Sequence, residues 1–406
     1  MRILIYGINY SPEITGVGKY TGEMAEWLTA QGHEVLVITA PPYYPAWQIG
    51  PGFSPWRYQK ECSNELKVFR CPLWVPKNVN GLKRVFHLLS FSVSSMPVAL
   101  SKVKRPHVVL NISPTLFTAP GALWAARLAG AKAWLHIHDF ETDISFELGI
   151  LRMKVLRRMV GYLESLIINN FDCVSTISKR MMEALWKRGV PRARTVLFPN
   201  WVDTGAIHPL EETNHMRSKL KIDSETTVAL YSGSVGQKQG IEILLKAAKK
   251  LESYPKIIIV LCGEGPVFNK TKSMASDLKN VLCLPLQPVE NLNHLLNLAD
   301  IHLLPQRMGT ADLAMPSKLA GILASGKPVV AAAGADTQIS QLVHSCGIVV
   351  QPGDADAFAE SLLWLARHPQ ERQKLGKTGR AIALKNMDKE KVLSQFENDL
   401  KGFAGR

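Results

Sequence analysis

Several segments of this sequence carry glycines, hydroxyls and ionisable side chains where a chain should leave a strand. The most informative is Arg307-Met308-Gly309-Thr310-Ala311-Asp312-Leu313-Ala314-Met315-Pro316-Ser317-Lys318, which leads into a helical stretch at 319–324. Pro316 suits a first helical turn, where its missing N–H costs nothing. Ser317 and Lys318 then bring a hydroxyl, an ammonium and helix N–H groups to one point, the equipment to hold a departing diphosphate. A plain capped helix with a surface lysine reads the same way. Two glycine loops could add to such a cradle. Tyr231-Ser232-Gly233-Ser234-Val235-Gly236-Gln237-Lys238-Gln239-Gly240 offers backbone N–H groups, a hydroxyl and the Lys238 cation. Cys262-Gly263-Glu264-Gly265-Pro266 permits close approach, and Glu264 could accept from a ligand hydroxyl.

The first half has two loops of its own. Gly16-Val17-Gly18 precedes a helical stretch and could bring backbone close to a phosphate or sugar. It is not a dinucleotide fingerprint, since Thr21 stands where the third glycine belongs, and it is not a P-loop, since Tyr20 follows Gly18-Lys19. A tight turn with no ligand is the plainer reading. His136 and His138 alternate with Ile137 and should share a face of their strand. His138 can orient a sugar hydroxyl or accept a proton, with Asp139 fixing its tautomer. A structural histidine would look alike, and i, i+2 spacing is weak support for a metal.

Positioning these loops requires alternating strands and helices. Strands are expected at 2–7, 34–39, 66–70, 108–111, 133–137, 173–176 and 195–198, with helices at 19–30, 82–100, 115–129, 151–169 and 178–188 between them. After a linker at 199–212 the pattern restarts with a strand at 227–231 and a helix at 241–251. Strands at 256–262, 281–284, 301–304, 328–331 and 348–350 follow. This alternation argues for two α/β units with parallel sheets, and ligands in such sheets bind beyond the carboxyl ends of the strands.

Composition is that of a globular protein: 406 residues, 46% hydrophobic and 20% charged. Six cysteines at 62, 71, 173, 262, 283 and 346 form no C-x-x-C pair, which disfavours a zinc ribbon or a disulfide scaffold. The net charge of +14 is uneven: residues 1–200 hold 24 Lys and Arg against 13 Asp and Glu, the remainder 24 against 21. A basic first half suggests an anionic partner. Nucleic acid is not expected, because no recognisable binding module accompanies the charge. With no signal-peptide order at the N-terminus and no apolar run of about 18 residues, a cytoplasmic protein is expected. Between 57 and 105, Arg57, Lys60, Lys67, Arg70, Lys77, Lys83, Arg84, Lys102, Lys104 and Arg105 surround an apolar and aromatic stretch at 85–100. An interfacial helix on an anionic membrane surface would look like this, and so would a core helix with a basic rim.

At these loops the chain resembles the retaining glycosyltransferases of the GT-B fold, in the family 4 group. The resemblance runs in order through Arg2-Ile3-Leu4, Tyr10-Ser11-Pro12, Gly16-Val17-Gly18, His138-Asp139, Ser232-Gly233-Ser234, Gly263-Glu264-Gly265-Pro266, Pro316-Ser317-Lys318 and Gly326-Lys327-Pro328-Val329. It implies two doubly wound Rossmann-like domains facing across a cleft. Residues 1–203 would form an acceptor-binding domain and 204–386 a nucleotide-sugar-binding domain, with 387–406 a helix returning to the first. It implies transfer from a nucleotide diphosphate sugar, with a GDP-sugar such as GDP-fucose favoured, to a lipid-linked saccharide of an exopolysaccharide, at the inner face of the cell membrane. His138, Asp139 and Lys318 would be catalytic; Gly233, Ser234, Lys238, Gly263, Glu264, Arg307, Ser317 and Lys318 would bind donor; Gly16, Val17 and Gly18 would form an acceptor or phosphate loop. No cofactor or metal is implied. The sequence departs from the family where two glutamates usually stand, which are Leu313 and Gly321 here, with Asp312 one position off. Ser234 replaces the usual arginine and Gln239 the usual lysine, so Lys318 and Arg307 become the candidates for neutralising phosphate. A sugar-nucleotide epimerase of the same architecture and a non-catalytic membrane-associated scaffold are the alternatives.

Overall fold

A computed structural model describes residues 1–405 except 15, 64, 78–80, 102–104, 114–115, 141–153, 211–214, 237–238, 266 and 308–315. The candidate residues Lys238, Asp312 and Leu313, and the basic residues Lys102 and Lys104, lie outside the described residues. The chain divides into two compact units, Met1–Pro199 with Leu393–Arg406, and Asn200–Val392.

Among the described residues the first unit holds eight strands: β1 (Arg2–Tyr6), β2 (Glu34–Thr39), β3 (Gln59–Ser63), β4 (Leu66–Arg70), β5 (Val108–Ile112), β6 (Lys132–Ile137), β7 (Cys173–Thr176) and β8 (Thr195–Leu197). Their order in the sheet is β3-β4-β2-β1-β5-β6-β7-β8. Ile3, Leu4, Ile5 and Tyr6 of β1 are all buried. That is what a parallel strand covered on both faces requires, and it explains the unbroken apolar run. The helix Gly16–Ala30 buries Tyr20, Met24, Trp27 and Leu28 on one stripe. Gly32, at φ +81°, turns the chain back so that His33 N–H reaches Leu28 O at 3.2 Å.

β3 departs from the sequence reading, which assigned no strand there and a wholly parallel sheet. It runs antiparallel to β4 at the edge. Its residues Gln-Lys-Glu-Cys-Ser are polar and mostly exposed, so no hydrophobic period announces them. Polar edge strands are how sheets avoid pairing with other chains.

The second unit holds β9 (Thr227–Ser232), β10 (Ile257–Cys262), β11 (Val281–Leu284), β12 (Ile301–Leu304), β13 (Val329–Ala332) and β14 (Gly347–Val350), ordered β11-β10-β9-β12-β13-β14 and all parallel. Strand alternation feeds two cores. β13 sends Val330 and Ala332 to one, with Leu244, Ala248, Phe358 and Leu362. It sends Val329 and Ala331 to the other, with Leu319, Leu323, Val343 and Ala383.

The segment expected as a polar linker is pinned at its start. Trp201 and Val202 are buried, Val202 N–H donates to Met387 O at 2.8 Å, and Lys389 N–H donates back to Val202 O at 3.0 Å. The last helix, Lys389–Ala404, places Phe396 against Phe198 in a stack at 3.9 Å and edge-on to Trp134 at 5.4 Å. Among the described residues no helix is long and apolar enough to cross a membrane.

Candidate functional site

In the second unit the strand order reverses between β9 and β12, so the loops leaving these two strands flank a crevice at their carboxyl ends. Tyr231, near the end of β9, is fully buried. Lys318, second residue of the helix Ser317–Ala324, lays its ammonium over the Tyr231 ring, 4.1 Å from the centroid. It also donates to Tyr231 Oη at 2.8 Å. The Tyr231 hydroxyl in turn donates to Ser234 O, so one phenol ties the lysine to the glycine loop. Burial pushes that phenol above its ordinary pKa.

Gly233 belongs to the same cluster for a steric reason. Its φ is +129°, and a Cβ there would stand 3.0 Å from Lys318 Nζ. The glycine leaves room for the ammonium. Burial drops the Lys318 pKa to about 7. Lys318 as a residue is half-buried; the enclosed part is the ammonium against Tyr231. Among the described residues no carboxylate pairs with it. An ammonium held out of water without a counter-charge is costly, and a bound anion would offset that cost.

Gly263 and Gly265 have a different task. A Cβ on Gly263 would lie 1.9 Å from Gly233 O, and one on Gly265 would lie 2.3 Å from Val235 O. Gly233 N–H donates to Cys262 O at 2.9 Å and Val235 N–H to Glu264 O at 2.8 Å. The two glycine loops are knitted backbone to backbone, which by itself accounts for glycine at both positions.

The other donor candidates are placed as follows. Ser317 is exposed at the head of its helix, after Pro316. Ser234 and Glu264 have exposed side chains. Arg307 donates from Nε to Glu242 Oε1 at 2.7 Å, an ion pair at the start of the helix Glu242–Lys250. Burial works against the Glu242 carboxylate, but Arg307 outweighs it and holds the pKa below the ordinary value. Gln239, in the family's lysine position, accepts from Gly236 N–H at 3.0 Å. The sequence alone does not single out Tyr231 or Glu242. Tyr231 reads there as one more apolar strand residue, and its hydroxyl's partners are 3 and 87 positions away.

In the first unit the switch falls between β1 and β5. Gly7 makes their close approach possible, since a Cβ there would stand 2.9 Å from Ile112 Cβ. Of the Gly16-Val17-Gly18 loop, Gly16 needs its freedom at φ +62°, and Val17 O accepts from Thr21 Oγ1 at 2.8 Å. Gly18 makes space for Glu13, whose Oε2 would be 2.4 Å from an added Cβ. Glu13 is buried. It accepts from Asn9 Nδ2 at 2.9 Å and from Tyr43 and Tyr44 N–H at 3.2 and 3.1 Å, so it clamps the 42–45 segment onto the loop after β1. Burial raises its pKa despite those donors.

His136 and His138 do share a face, with ring centroids 4.5 Å apart. His136 is tied to Ser175 Oγ at 2.9 Å. Tyr20 stacks parallel to His138 at 6.3 Å. Burial drops the His138 pKa to about 4, so near neutral pH its imidazole is uncharged. Asp139 is exposed, and its carbonyl accepts from Ser113 Oγ at 3.4 Å. Among the described residues no group of three or more His, Cys, Asp or Glu could hold a metal ion. The sequence's Asp354-Ala355-Asp356 is taken up structurally: Asp354 caps a helix through Ala357 N–H, and Asp356 pairs with Lys250.

The basic stretch at 57–105 is less free than its sequence suggests. Arg70 is buried, forks onto Glu61, and donates to Ser11 O and Ala40 O at 2.7 and 3.1 Å. Lys67 pairs with Glu34 at 3.2 Å. The helix Gly81–Ser101 buries His87, Leu88, Phe91 and Val98 yet exposes Leu82, Phe86, Val93 and Leu100, so it is both a core helix and an apolar surface.

Two family profiles match the chain: "Glycosyl transferase 4-like domain" over residues 15–201 and "Glycosyl transferases group 1" over 212–382. The Escherichia coli (strain K12) protein named "Putative colanic acid biosynthesis glycosyl transferase WcaI" is 41% identical over 414 residues, covering 99% of this chain and 100% of that one. Among solved structures, sucrose-phosphate synthase from Thermosynechococcus elongatus superposes with a TM-score of 0.76 at 19% identity, covering 100% of both chains. Anabaena HepE in complex with UDP and glucose superposes with a TM-score of 0.71 at 16% identity, covering 99% of this chain and 100% of that one.

Proposed function

This chain belongs to the glycosyltransferases that join a 4-like domain to a group 1 domain, and from that premise we propose a retaining enzyme of colanic-acid-type exopolysaccharide synthesis. It moves a sugar from a nucleotide diphosphate sugar to a lipid-linked saccharide. A GDP-sugar, GDP-fucose among them, is the donor we favour on the relative's polymer; the UDP bound by HepE keeps UDP-sugars in the test. The observation that carries the reading is Lys318: an enclosed ammonium, without a carboxylate partner among the described residues, in space that Gly233 clears at the head of a helix.

The chemistry breaks the bond between the anomeric carbon and the diphosphate oxygen, and negative charge appears on the diphosphate. Lys318 and the N–H groups of the first helical turn meet that charge as it forms. The acceptor hydroxyl approaches from the leaving-group side, and its proton passes to the departing diphosphate. Gly233, Ser234, Lys238, Gly263, Glu264, Arg307 and Ser317 contact the donor in this scheme. The neutral His138 orients the transferred sugar and Asp139 supports it. Gly16, Val17 and Gly18 lie on the acceptor side, in the unit that carries Arg57, Lys60, Lys77, Lys83 and Arg105. These cations, with exposed Trp56, Tyr58, Leu82, Phe86 and Val93, suit the inner face of an anionic membrane.

The test is incubation with GDP- and UDP-sugars and a polyprenyl-diphosphate-linked sugar. Transfer with retained anomeric configuration is expected, and Lys318→Ala should lower kcat about 10²–10³-fold with its circular dichroism unchanged. Absence of both transfer and nucleoside diphosphate binding would refute the reading, and conversion of donor without acceptor would indicate an epimerase. For the membrane, Phe86→Ser with Val93→Ser should reduce sedimentation with phosphatidylglycerol vesicles; unchanged sedimentation would exclude this helix.

A further inference from the structure

Near Glu13 the first unit carries a second group of polar side chains. Tyr43, Trp47 and His87 form an aromatic cluster, with His87 4.7 Å from Tyr43 and 5.2 Å from Trp47, and Trp47 5.5 Å from Tyr43. Arg84 places its guanidinium 5.9 Å from the Trp47 ring. Two atoms here are buried without a partner among the described residues, Arg84 Nε and His87 Nε2.

Their chemistry can be assigned. His87 Nδ1 is 2.7 Å from Trp74 O, and a carbonyl only accepts, so Nδ1 carries the hydrogen. Burial drops the His87 pKa to about 4, leaving the ring neutral and Nε2 a bare acceptor. Arg84 Nε is a donor by constitution. The side chains that carry an unmatched donor and an unmatched acceptor therefore both lie against the Trp47 ring. Native proteins seldom leave such atoms empty-handed. The backbone is unusual as well: Trp47 has φ +54°, a region a bulky residue rarely adopts, and such strain collects at binding sites.

A ligand that satisfies all three features offers a hydroxyl hydrogen, an oxygen acceptor and an apolar C–H face. A sugar ring has all of them. The cluster also lies on the loop that matters. Glu13 holds Tyr43 and Tyr44 against the segment after β1. Burial raises the Tyr44 phenol's pKa, while the Arg84 charge works to lower it. We propose that Trp47, Arg84 and His87 form a saccharide subsite for the acceptor, with Trp47 as the stacking plate, Arg84 as donor and His87 Nε2 as acceptor. This rests on the glycosyltransferase reading.

The experiment uses the full chain and the octyl glycosides of glucose, galactose and fucose, followed by saturation-transfer NMR, with GDP and UDP titrated separately by calorimetry. Wild type should bind at least one glycoside saturably. Arg84→Met should weaken it at least tenfold without lowering the melting temperature, because an orphan donor is removed. Trp47→Gly should do likewise, since glycine adopts φ +54° without strain. Neither variant should change nucleotide affinity. If wild type binds no glycoside, or if both variants keep wild-type glycoside affinity, the subsite is refuted and the orphan atoms hold only water. If nucleotides fail to bind while the glycoside result stands, the glycosyltransferase reading falls and the sugar site does not.

Discussion

Between pH 7 and 9, nucleoside diphosphate binding should weaken about fiftyfold. Lys318 has a pKa of about 7 in the free protein because it is buried against Tyr231. A diphosphate beside it favours the ammonium and raises that pKa toward its ordinary value. If only the protonated form binds, the apparent Kd scales as one plus ten to the power of pH minus 7, which is about 2 at pH 7 and about 100 at pH 9. Other groups leave this window clear. The ligand's terminal phosphate titrates near pH 6, burial lifts Tyr231 above its ordinary value, and Glu242 is held below its own. Folding carries the matching sign: a lysine depressed in the folded state costs stability when protonated, a cost that fades as pH rises from about 7 toward the unfolded value. Calorimetry in two buffers of different ionisation heat would give both affinity and proton uptake. Wild type should take up close to one proton on binding at pH 8.5, and Lys318→Met should take up none and show a flat profile. A wild-type Kd that changes less than about threefold, or a slope that survives in Lys318→Met, would refute the reasoning.

Gly263→Ala forces a Cβ to 1.9 Å from Gly233 O, so the loops must part; a loss of about 2–4 kcal/mol in urea unfolding is expected, with weaker nucleotide binding. Glu13→Ala strands the amide of Asn9 and two backbone N–H groups, which should cost about 2–4 kcal/mol by the same assay and loosen the 42–45 segment to proteolysis. Phe396→Ala removes a fully buried ring from between Phe198 and Trp134 and should cost about 3–5 kcal/mol, lowering the melting temperature.

Much of this protein could be read along the chain. Buried parallel strands such as β1, β9 and β13 are short apolar runs because both faces are covered, and β2 and β4 match their expected spans. The loops after strands, the histidines on one face and the Pro316-Ser317-Lys318 helix head follow from local spacing. What local pattern could not supply is the partner of each polar group. Only the folded chain sets Lys318 over Tyr231 and makes Gly233 its clearance, since those residues are 85 to 87 positions apart. Only the fold turns Arg70 from a surface cation into a buried fork onto Glu61, through an edge strand too polar to be seen in the sequence. Likewise, the glycines at 18, 263 and 265 suggest ligand approach along the chain, whereas in space they make way for Glu13, Gly233 and Val235. Backbone periodicity is a near-neighbour property and survives in one dimension. Desolvation, orphaned donors and steric clearance depend on what lies across the core, and that is decided only when distant strands meet.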